Sequence, residues 1–528
     1  MMKKLPVGIQ DFEQLQERNC IYVDKTNLLK KLSENGTSYF LSRPRRFGKS
    51  LTLSTLKHLY LCDKHLFEDT WIVGEDDGIP RWNWEKPFPV IHISLGAGKF
   101  SESGATQYAL FSQVQYHARQ FNLTLNSKFA AQAFEELLLL LKERNQRPVI
   151  LIDEYDKPVL QVIESEFGPE ILAENREELR SFYSCLKDAN PEFLMITGVV
   201  RLLRASIFSE LNNLVDISLH KDYGTLCGIT QEELESNFDE YIQKFAAEHE
   251  MTRESFLTRF KNQYNGFRFA PKSPTVYNPF STAYAMHTLD FGNYWTESGT
   301  PSFLVRVVQK YDLNLAEIEN PTLPIDSISS LDPDNIEPMA LFLQTGYLTI
   351  QSTDEDLLVL GFPNHEVRHS YVKDVLKITY KKSYVELAPR ARKMSQFLQK
   401  NNIQGFIEEF KSIFKGIAYQ LDDATEKRYH GLFQAICVLA CSPPALVLSE
   451  VPNAIGRCDL VIDLPLACYI FEFKRDTDSA LALQQIAIKE YANQWSGRFL
   501  ADGTPKPVYC VGVTFGTAER NIIDWKIV

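Results

Sequence analysis

The stretch Ser42-Arg43-Pro44-Arg45-Arg46-Phe47-Gly48-Lys49-Ser50 decides the reading of this chain. It follows the apolar run Tyr39-Phe40-Leu41 and opens into Leu51-Thr52-Leu53-Ser54-Thr55-Leu56-Lys57, which reads as a helix. A strand, a Gly-Lys-Ser turn and a helix, in that order, make a phosphate-binding loop. Backbone N–H groups and the positive end of the helix converge on one spot, and that spot favours an anion. Lys49 adds a point charge for terminal phosphates, and Ser50 offers its hydroxyl to Mg²⁺. Arg46, Phe47, Gly48 and Leu51 complete the candidate nucleotide-binding stretch. The usual pattern carries a glycine where this chain has Arg43. Taken alone, Gly-Lys-Ser also fits a plain strand–helix turn.

Two further runs bear on that choice. Pro148-Val149-Ile150-Leu151-Ile152-Asp153-Glu154-Tyr155-Asp156 reads as a strand buried on both faces, with carboxylates at its carboxyl end. Ligands bind at that end of the strands in open α/β sheets. Asp153 is the candidate Mg²⁺ ligand and Glu154 the candidate group polarising the attacking water. Phe193-Leu194-Met195-Ile196-Thr197-Gly198-Val199 is a second buried run, and Thr197 is placed to sense a γ-phosphate. Arg201 and Arg204 follow as candidate charge-stabilising arginines, although an arginine at such a place is more often simply on the surface.

Near the C-terminus, Glu450-Val451-Pro452-Asn453-Ala454-Ile455-Gly456-Arg457-Cys458-Asp459-Leu460-Val461-Ile462 precedes Cys468-Tyr469-Ile470-Phe471-Glu472-Phe473-Lys474. Two adjacent strands are implied, and Glu472 and Lys474, two apart, share a face. Two carboxylates and a lysine on one sheet face are what metal-dependent phosphodiester cleavage needs. Asp459 and Glu472, with Glu450 beside them, are candidate ligands for Mg²⁺ or Mn²⁺. Lys474 would orient the water or stabilise the pentavalent state. Gln485, on a helix expected over Ser479–Trp495, joins the candidate catalytic set. The helix-strand-strand-strand-helix-strand order suits a restriction-endonuclease-like core.

The chain has 528 residues, 44% of them hydrophobic and 23% charged, ordinary values for a globular protein of two or three domains. No apolar run reaches membrane-spanning length, and the start lacks the apolar core of a signal peptide. Nine scattered cysteines without a Cys-x-x-Cys pair argue for free thiols, a reducing compartment and a cytoplasmic location. A net charge of −12 does not favour nucleic-acid binding overall. The mildly basic stretch 371–428 could still touch a phosphate backbone, or simply be solvated helix faces.

The expected architecture is α/β, in three parts. Residues 1–284 form a P-loop NTPase domain, a parallel sheet with helices on both faces. Residues 285–395 form a small helical or winged-helix-like middle region, and residues 396–528 the nuclease-like domain. One helix is expected around Glu174–Ala189 and another over Thr230–His249. The aromatic-rich segment 264–295 reads as core packing, with a partner surface as the alternative.

Taken together, these pieces resemble a bacterial family that couples an AAA-ATPase-like domain to a C-terminal PD-(D/E)XK nuclease-superfamily domain. The blocks that carry the resemblance are Leu5-Pro6-Val7-Gly8-Ile9-Gln10-Asp11-Phe12, Tyr22-Val23-Asp24-Lys25-Thr26, the Arg43–Ser50 loop and Asp153-Glu154-Tyr155-Asp156. Phe208-Ser209-Glu210-Leu211-Asn212-Asn213, Tyr277-Asn278-Pro279-Phe280, and Gly456-Arg457-Cys458-Asp459 with Glu472-Phe473-Lys474 complete it. The resemblance implies that Arg43 is the family's own form of the loop. It implies ATP binding and a nuclease-like domain, to which the Ser50 and Asp153 reading adds Mg²⁺. The functional expectation is an ATP-binding and ATP-hydrolysing protein whose nucleotide state gates a metal-dependent nuclease-like domain acting on nucleic acid, DNA favoured. The alternative is a nucleotide-switched binding or regulatory protein with a non-cleaving nuclease-like domain. A homo-oligomer is compatible with either, and no membrane partner is expected.

Overall fold

The computed structural model describes residues 2–164, 169–202, 207–208, 211, 213–295, 307–308, 310–311, 313, 315–329, 337–416, 426–441, 445–500 and 502–528. They form two compact units. One is built on residues up to 295 and on Thr322–Asn364, the other on Leu315–Pro321 and His365–Val528.

The first unit is organised by a five-stranded parallel sheet. Its strands are β1 (Ser38–Ser42), β2 (Val90–Ser94), β3 (Val149–Asp153), β4 (Phe193–Gly198) and the two-residue β5 (Val215–Asp216), in the spatial order β2-β3-β4-β1-β5. Every residue of β1, β3 and β4 is buried, which is why these strands read as unbroken apolar runs. Strand β4 lies between the strand that feeds the loop and the strand that carries Asp153. Leu41 is in register with Thr197, and Ser42 with Gly198. The order of strands therefore sets Thr197 between the loop and the acid, although the chain reaches it last.

Helix boundaries differ from expectation in two places. The single helix expected near Glu174–Ala189 is preceded by another, so that Lys157–Glu164 and Pro169–Ser184 both form, the second starting on proline. The stretch expected as one helix over Thr230–His249 breaks at Phe238 into Gln231–Asn237 and Asp239–Glu248. Its start is fixed by a capping box, in which Thr230 and Glu233 satisfy each other's backbone N–H groups. Tyr277-Asn278-Pro279-Phe280 is also a helix start. Asn278 accepts from the Ser281 amide at 2.9 Å, and Pro279 takes the first helical position of Pro279–Thr288.

The aromatic-rich segment is core. Phe245, Phe256, Phe260, Tyr264, Tyr277 and Tyr294 are buried in one cluster. A small antiparallel sheet of β6 (Thr322–Pro324), β7 (Thr349–Asp354) and β8 (Leu357–Gly361), ordered β6-β8-β7, belongs to the same unit. The Arg268 amide donates to Thr349 Oγ1 at 2.7 Å, and Asn364 Nδ2 donates to the Asn265 carbonyl at 2.7 Å. These bonds tie that sheet back to residues 265–268. The stretch 285–395 is thus shared out, with Thr322–Asn364 in the first unit and the chain from His365 in the second.

The second unit stacks helices His365–Thr379, Tyr384–Gln399, Ile403–Lys415 and Glu426–Ala440 with a mixed sheet. That sheet is β9 (Leu446–Pro452), β10 (Arg457–Asp463), β11 (Cys468–Arg475), β12 (Val508–Gly516) and β13 (Asn521–Ile527), in sequence order. All neighbours are antiparallel except β11 and β12, which are parallel. A parallel pair needs a crossover, and helix Ser479–Ile488 lies on it. Phe410 and Phe433 stack at 3.8 Å between helices, and Phe433 meets Phe471 and Phe473 of β11. All nine cysteines are free thiols. Among the described residues no helix is long and apolar enough to cross a membrane.

Gly512 on β12 is what lets the crossover helix lie close. A Cβ there would stand 2.4 Å from the Ser479 carbonyl oxygen and 3.0 Å from the Ala482 methyl. Gly512→Ala is expected to destabilise the second unit by about 1–3 kcal/mol through overpacking, read as a lower urea midpoint at unchanged slope. An unchanged midpoint would show that the helix does not sit on this residue.

Candidate functional site

The loop between β1 and helix Lys49–Tyr60 is built by two left-handed residues, Arg46 at φ 67° and Gly48 at φ 92°. Arg43 is not one of them. Glycine is therefore required at 48, where nothing lies within 4 Å of an added Cβ, and not at 43. Arg43 is buried instead, with Nη1 donating to the Ser42 and Ser218 carbonyls at 2.8 Å each and Nη2 to the Tyr223 carbonyl at 3.0 Å. Its guanidinium lies 4.3 Å above the Phe269 ring. Arg43 thus anchors the loop from behind. The Arg46 guanidinium stacks on Phe280 at 3.6 Å, and Phe47 packs edge-on against Phe267 and Phe269. Lys49 Nζ donates to the carbonyls of Arg43 and Pro44 at 2.9 and 3.0 Å. Burial pulls its pKa down, while Asp153 and Asp156 pull it back up.

Opposite the loop, the Asp153 carboxylate is shared. Ser50 Oγ donates to its Oδ2 at 2.5 Å, and Thr197 Oγ1 donates to its Oδ1 at 2.7 Å. Three residues singled out on three separate segments therefore meet at one carboxylate. Glu154 follows in the left-handed region at φ 53°, its amide donating to Asp153 Oδ1 at 3.0 Å and its Oε2 3.5 Å from Lys157 Nζ. Asp156, to which sequence reasoning gave no role, is buried and accepts from the Val199 and Val200 amides at 2.8 and 2.7 Å. It fixes the chain leaving β4. Burial pushes its carboxyl up to about 6, although those two amides pull it down. Arg201, open between a charge-stabilising and a surface role, is buried and ion-paired with Asp216 of β5. Arg204 lies outside the described residues, as do Ser209, Glu210 and Asn212.

Beside Gly48 opens an apolar cavity of about 90 Å³, lined among others by Tyr22, Val23, Leu51, Thr52, Ile229 and Pro279. Tyr22-Val23 was legible only as a motif. What brings it here is Lys25, whose Nζ reaches Glu233 Oε1 at 2.5 Å, joining the N-terminal segment to the helix that follows β5.

In the second unit the acids form a row. Glu450 sits between the pairs Ser449–Leu460 and Val451–Cys458, opposite Asp459 on β10. Asp459 precedes the pair Leu460–Phe471, which sets it opposite Glu472 on β11. The Phe473 amide donates to Asp459 Oδ2 at 2.7 Å, and Lys474 Nζ donates to Glu472 Oε1 at 3.2 Å. Glu472 is buried, and its Oε2 has no hydrogen-bond partner. Burial drives both carboxyls upward, with Asp459 raised further by Glu472 and Glu472 pulled back by Lys474. Glu450 holds φ 50° within a strand, a costly conformation for a non-glycine residue, and its Oε2 meets Arg457 Nε at 2.6 Å. A half-buried acid beside a buried one that has an unpartnered oxygen suits a divalent cation on hard oxygen ligands. Gln485 is half-buried on the crossover helix, and no hydrogen bond joins its side chain to the acidic row. The helix itself ends at Ile488, short of the expected Trp495. His430, on helix Glu426–Ala440, was missed. Its ring lies 4.5 Å from Phe473, and burial with the nearby Lys474 charge lowers its pKa to about 4, which leaves it neutral.

Comparison with known proteins agrees with this division of the chain. Residues 6–208 match the family described as predicted AAA-ATPase, and residues 424–525 match the PD-(D/E)XK nuclease superfamily. The chain is 30% identical, over 537 aligned positions and 99% of each sequence, to a protein of Azotobacter chroococcum mcd 1 described as an uncharacterized protein in the vnfD 5′ region. No solved structure matches it.

Two outcomes follow from the first unit's geometry. Arg43→Ala strips three backbone carbonyls of a buried donor, and is expected to cost about 3 kcal/mol of stability and to weaken nucleotide binding. Thermal melting with and without ATP measures both. Asp156 holds its proton more tightly in the folded chain than in the unfolded one, so stability falls as pH rises from about 4 to about 6 and is level above. Across that window wild type should lose about 3 kcal/mol relative to Asp156→Asn, seen as a widening gap in melting temperature.

Proposed function

We propose that this chain, which belongs to the family joining a predicted AAA-ATPase domain to a PD-(D/E)XK nuclease-superfamily domain, binds and hydrolyses ATP in its first unit and uses that nucleotide state to gate phosphodiester cleavage of nucleic acid by its second. The nucleotide's phosphates lie at the N-terminus of helix Lys49–Tyr60, where Gly48 leaves room for them. Lys49 exchanges the carbonyls of Arg43 and Pro44 for phosphate oxygens. The base enters the apolar cavity beside Tyr22 and Pro279. Ser50 and Asp153 hold Mg²⁺, Thr197 orients the Asp153 carboxylate, and Glu154 takes the proton of the attacking water.

At the second site Asp459 and Glu472 hold Mg²⁺ or Mn²⁺, with Glu450 at the end of the row. Lys474 orients the attacking water and offsets charge on the phosphate, and Gln485 positions the substrate strand. The cation supplies Lewis-acid neutralisation of phosphate charge. DNA is the first substrate to test.

The observation that carries this reading is the pairing of half-buried Asp459 with buried Glu472 across adjacent strands, with Lys474 at 3.2 Å from Glu472. A binding module has no need to hold two acids and a lysine together where Glu472 is buried and Asp459 and Lys474 are half-buried. Cleavage of plasmid, single-stranded DNA and RNA is measured with Mg²⁺ or Mn²⁺, with and without ATP. Lys474→Ala is expected to lower the rate by about 10²–10⁴-fold, and Lys49→Ala to remove the dependence on ATP. No cleavage of any substrate by wild type, with ATP still bound, would point to the switched binding protein instead.

A further inference from the structure

A second cluster of metal-ligating side chains lies in the first unit, away from the phosphate-binding loop. Asp11 caps the short helix Phe12–Glu17, accepting from the Gln14 amide at 3.0 Å. Its other oxygen accepts from Ser54 Oγ at 3.0 Å, and Ser54 Oγ in turn accepts from the Phe12 amide at 2.9 Å. Ser54 and His58 are four apart on helix Lys49–Tyr60, so they share one face. These bonds hold Asp11 over that face. A ring nitrogen of His58 and one carboxylate oxygen from each of Asp11 and Glu13 lie within 4.8 Å of one another.

The imidazole is the informative member. His58 Nδ1 is held by Asp63 Oδ2 at 2.7 Å. Its side chain is only 4% exposed, and Nε2 is buried with no hydrogen-bond partner. An orphaned buried ring nitrogen costs free energy unless something binds it. A carboxylate on one imidazole nitrogen, with the other left free, is the arrangement that orients a metal-ligating histidine. Asp63 occupies Nδ1, which leaves Nε2 as the ring nitrogen free to ligate.

We propose that Asp11, Glu13 and His58 bind a divalent transition metal, with Zn²⁺ the best match to one imidazole and two carboxylates. The metal joins the N-terminal segment to the far half of the helix that begins at the phosphate-binding loop. Asp63 is a positioning residue. Water completes the coordination on the side of Glu13, which is exposed.

The test uses metal-stripped full-length protein without nucleotide, titrated with Zn²⁺ against a chromophoric chelator. Wild type is compared with His58→Gln, Glu13→Gln, Asp63→Asn and the double variant Asp459→Asn/Glu472→Gln. Wild type should bind one Zn²⁺ equivalent that survives in the double variant. Asp63→Asn should weaken it by about 10–100-fold, and His58→Gln and Glu13→Gln by at least that much. Glu13 is exposed, so its variant keeps the fold, which a matching circular-dichroism spectrum checks. Zinc binding absent from wild type, unchanged in Glu13→Gln and His58→Gln, or lost in the double variant would overturn the proposal.

Discussion

The carboxylate of Asp153 is the point on which the first unit depends. It ends a strand with no exposed residue, and it is satisfied by two hydroxyls from different segments, Ser50 and Thr197. A buried carboxylate without donors would be costly. The sheet order meets that need by inserting β4 between the loop strand and the acid strand. The same order brings Gly198 against Tyr155 and Asp156, where a Cβ would come within 2.5 Å of the Tyr155 ring. Asp156 then accepts from two amides just beyond β4, and Tyr155 donates to the Val200 carbonyl at 2.8 Å. One four-residue segment, Asp153 to Asp156, therefore bonds the loop helix on one side and the exit of β4 on the other.

The second unit solves a related problem in the opposite way. There the acids are gathered rather than satisfied. Glu450, Asp459 and Glu472 stand in line across three neighbouring strands, and among the described residues Lys474 is bonded to Glu472 and Arg457 to Glu450. Left without a counter-ion, such a row favours protonation over charge. The left-handed backbone at Glu450 adds conformational cost at the same place. Conformational cost and unmet charge concentrated at one spot are features that folds carry at chemical sites.

The fold was largely legible because its signals are local and strong. Unbroken apolar runs marked the buried parallel strands, and Glu472 and Lys474 shared a face because side chains alternate along a strand. Gly48 could be read as necessary from the turn it makes. Arg43 could not be read from its spacing alone. Its side chain is aimed away from the loop at carbonyls contributed by Ser218 and Tyr223, some 175 residues distant in sequence. Arg201, left open between a charge-stabilising and a surface role, gave no sign of its ion pair for the same reason, since its partner Asp216 lies on an edge strand of only two residues. The break at Phe238 falls on neither glycine nor proline, so no local signal marked it.

The sequence by itself determined which residues are chemically capable: a glycine-lysine-serine turn, acids at strand ends, and an Asp, Glu and Lys set near the C-terminus. Those follow from short-range geometry, in which period and turn type are fixed by a few neighbouring residues. Tertiary structure alone decided which of them meet. It put Thr197 on Asp153, withdrew Arg201 into an ion pair, set His430 beside Lys474, and turned the His58 imidazole toward Asp11 and Glu13. Each of these depends on strand order or helix packing, which arise from burying apolar faces across the whole chain and leave no mark at the residues they bring together.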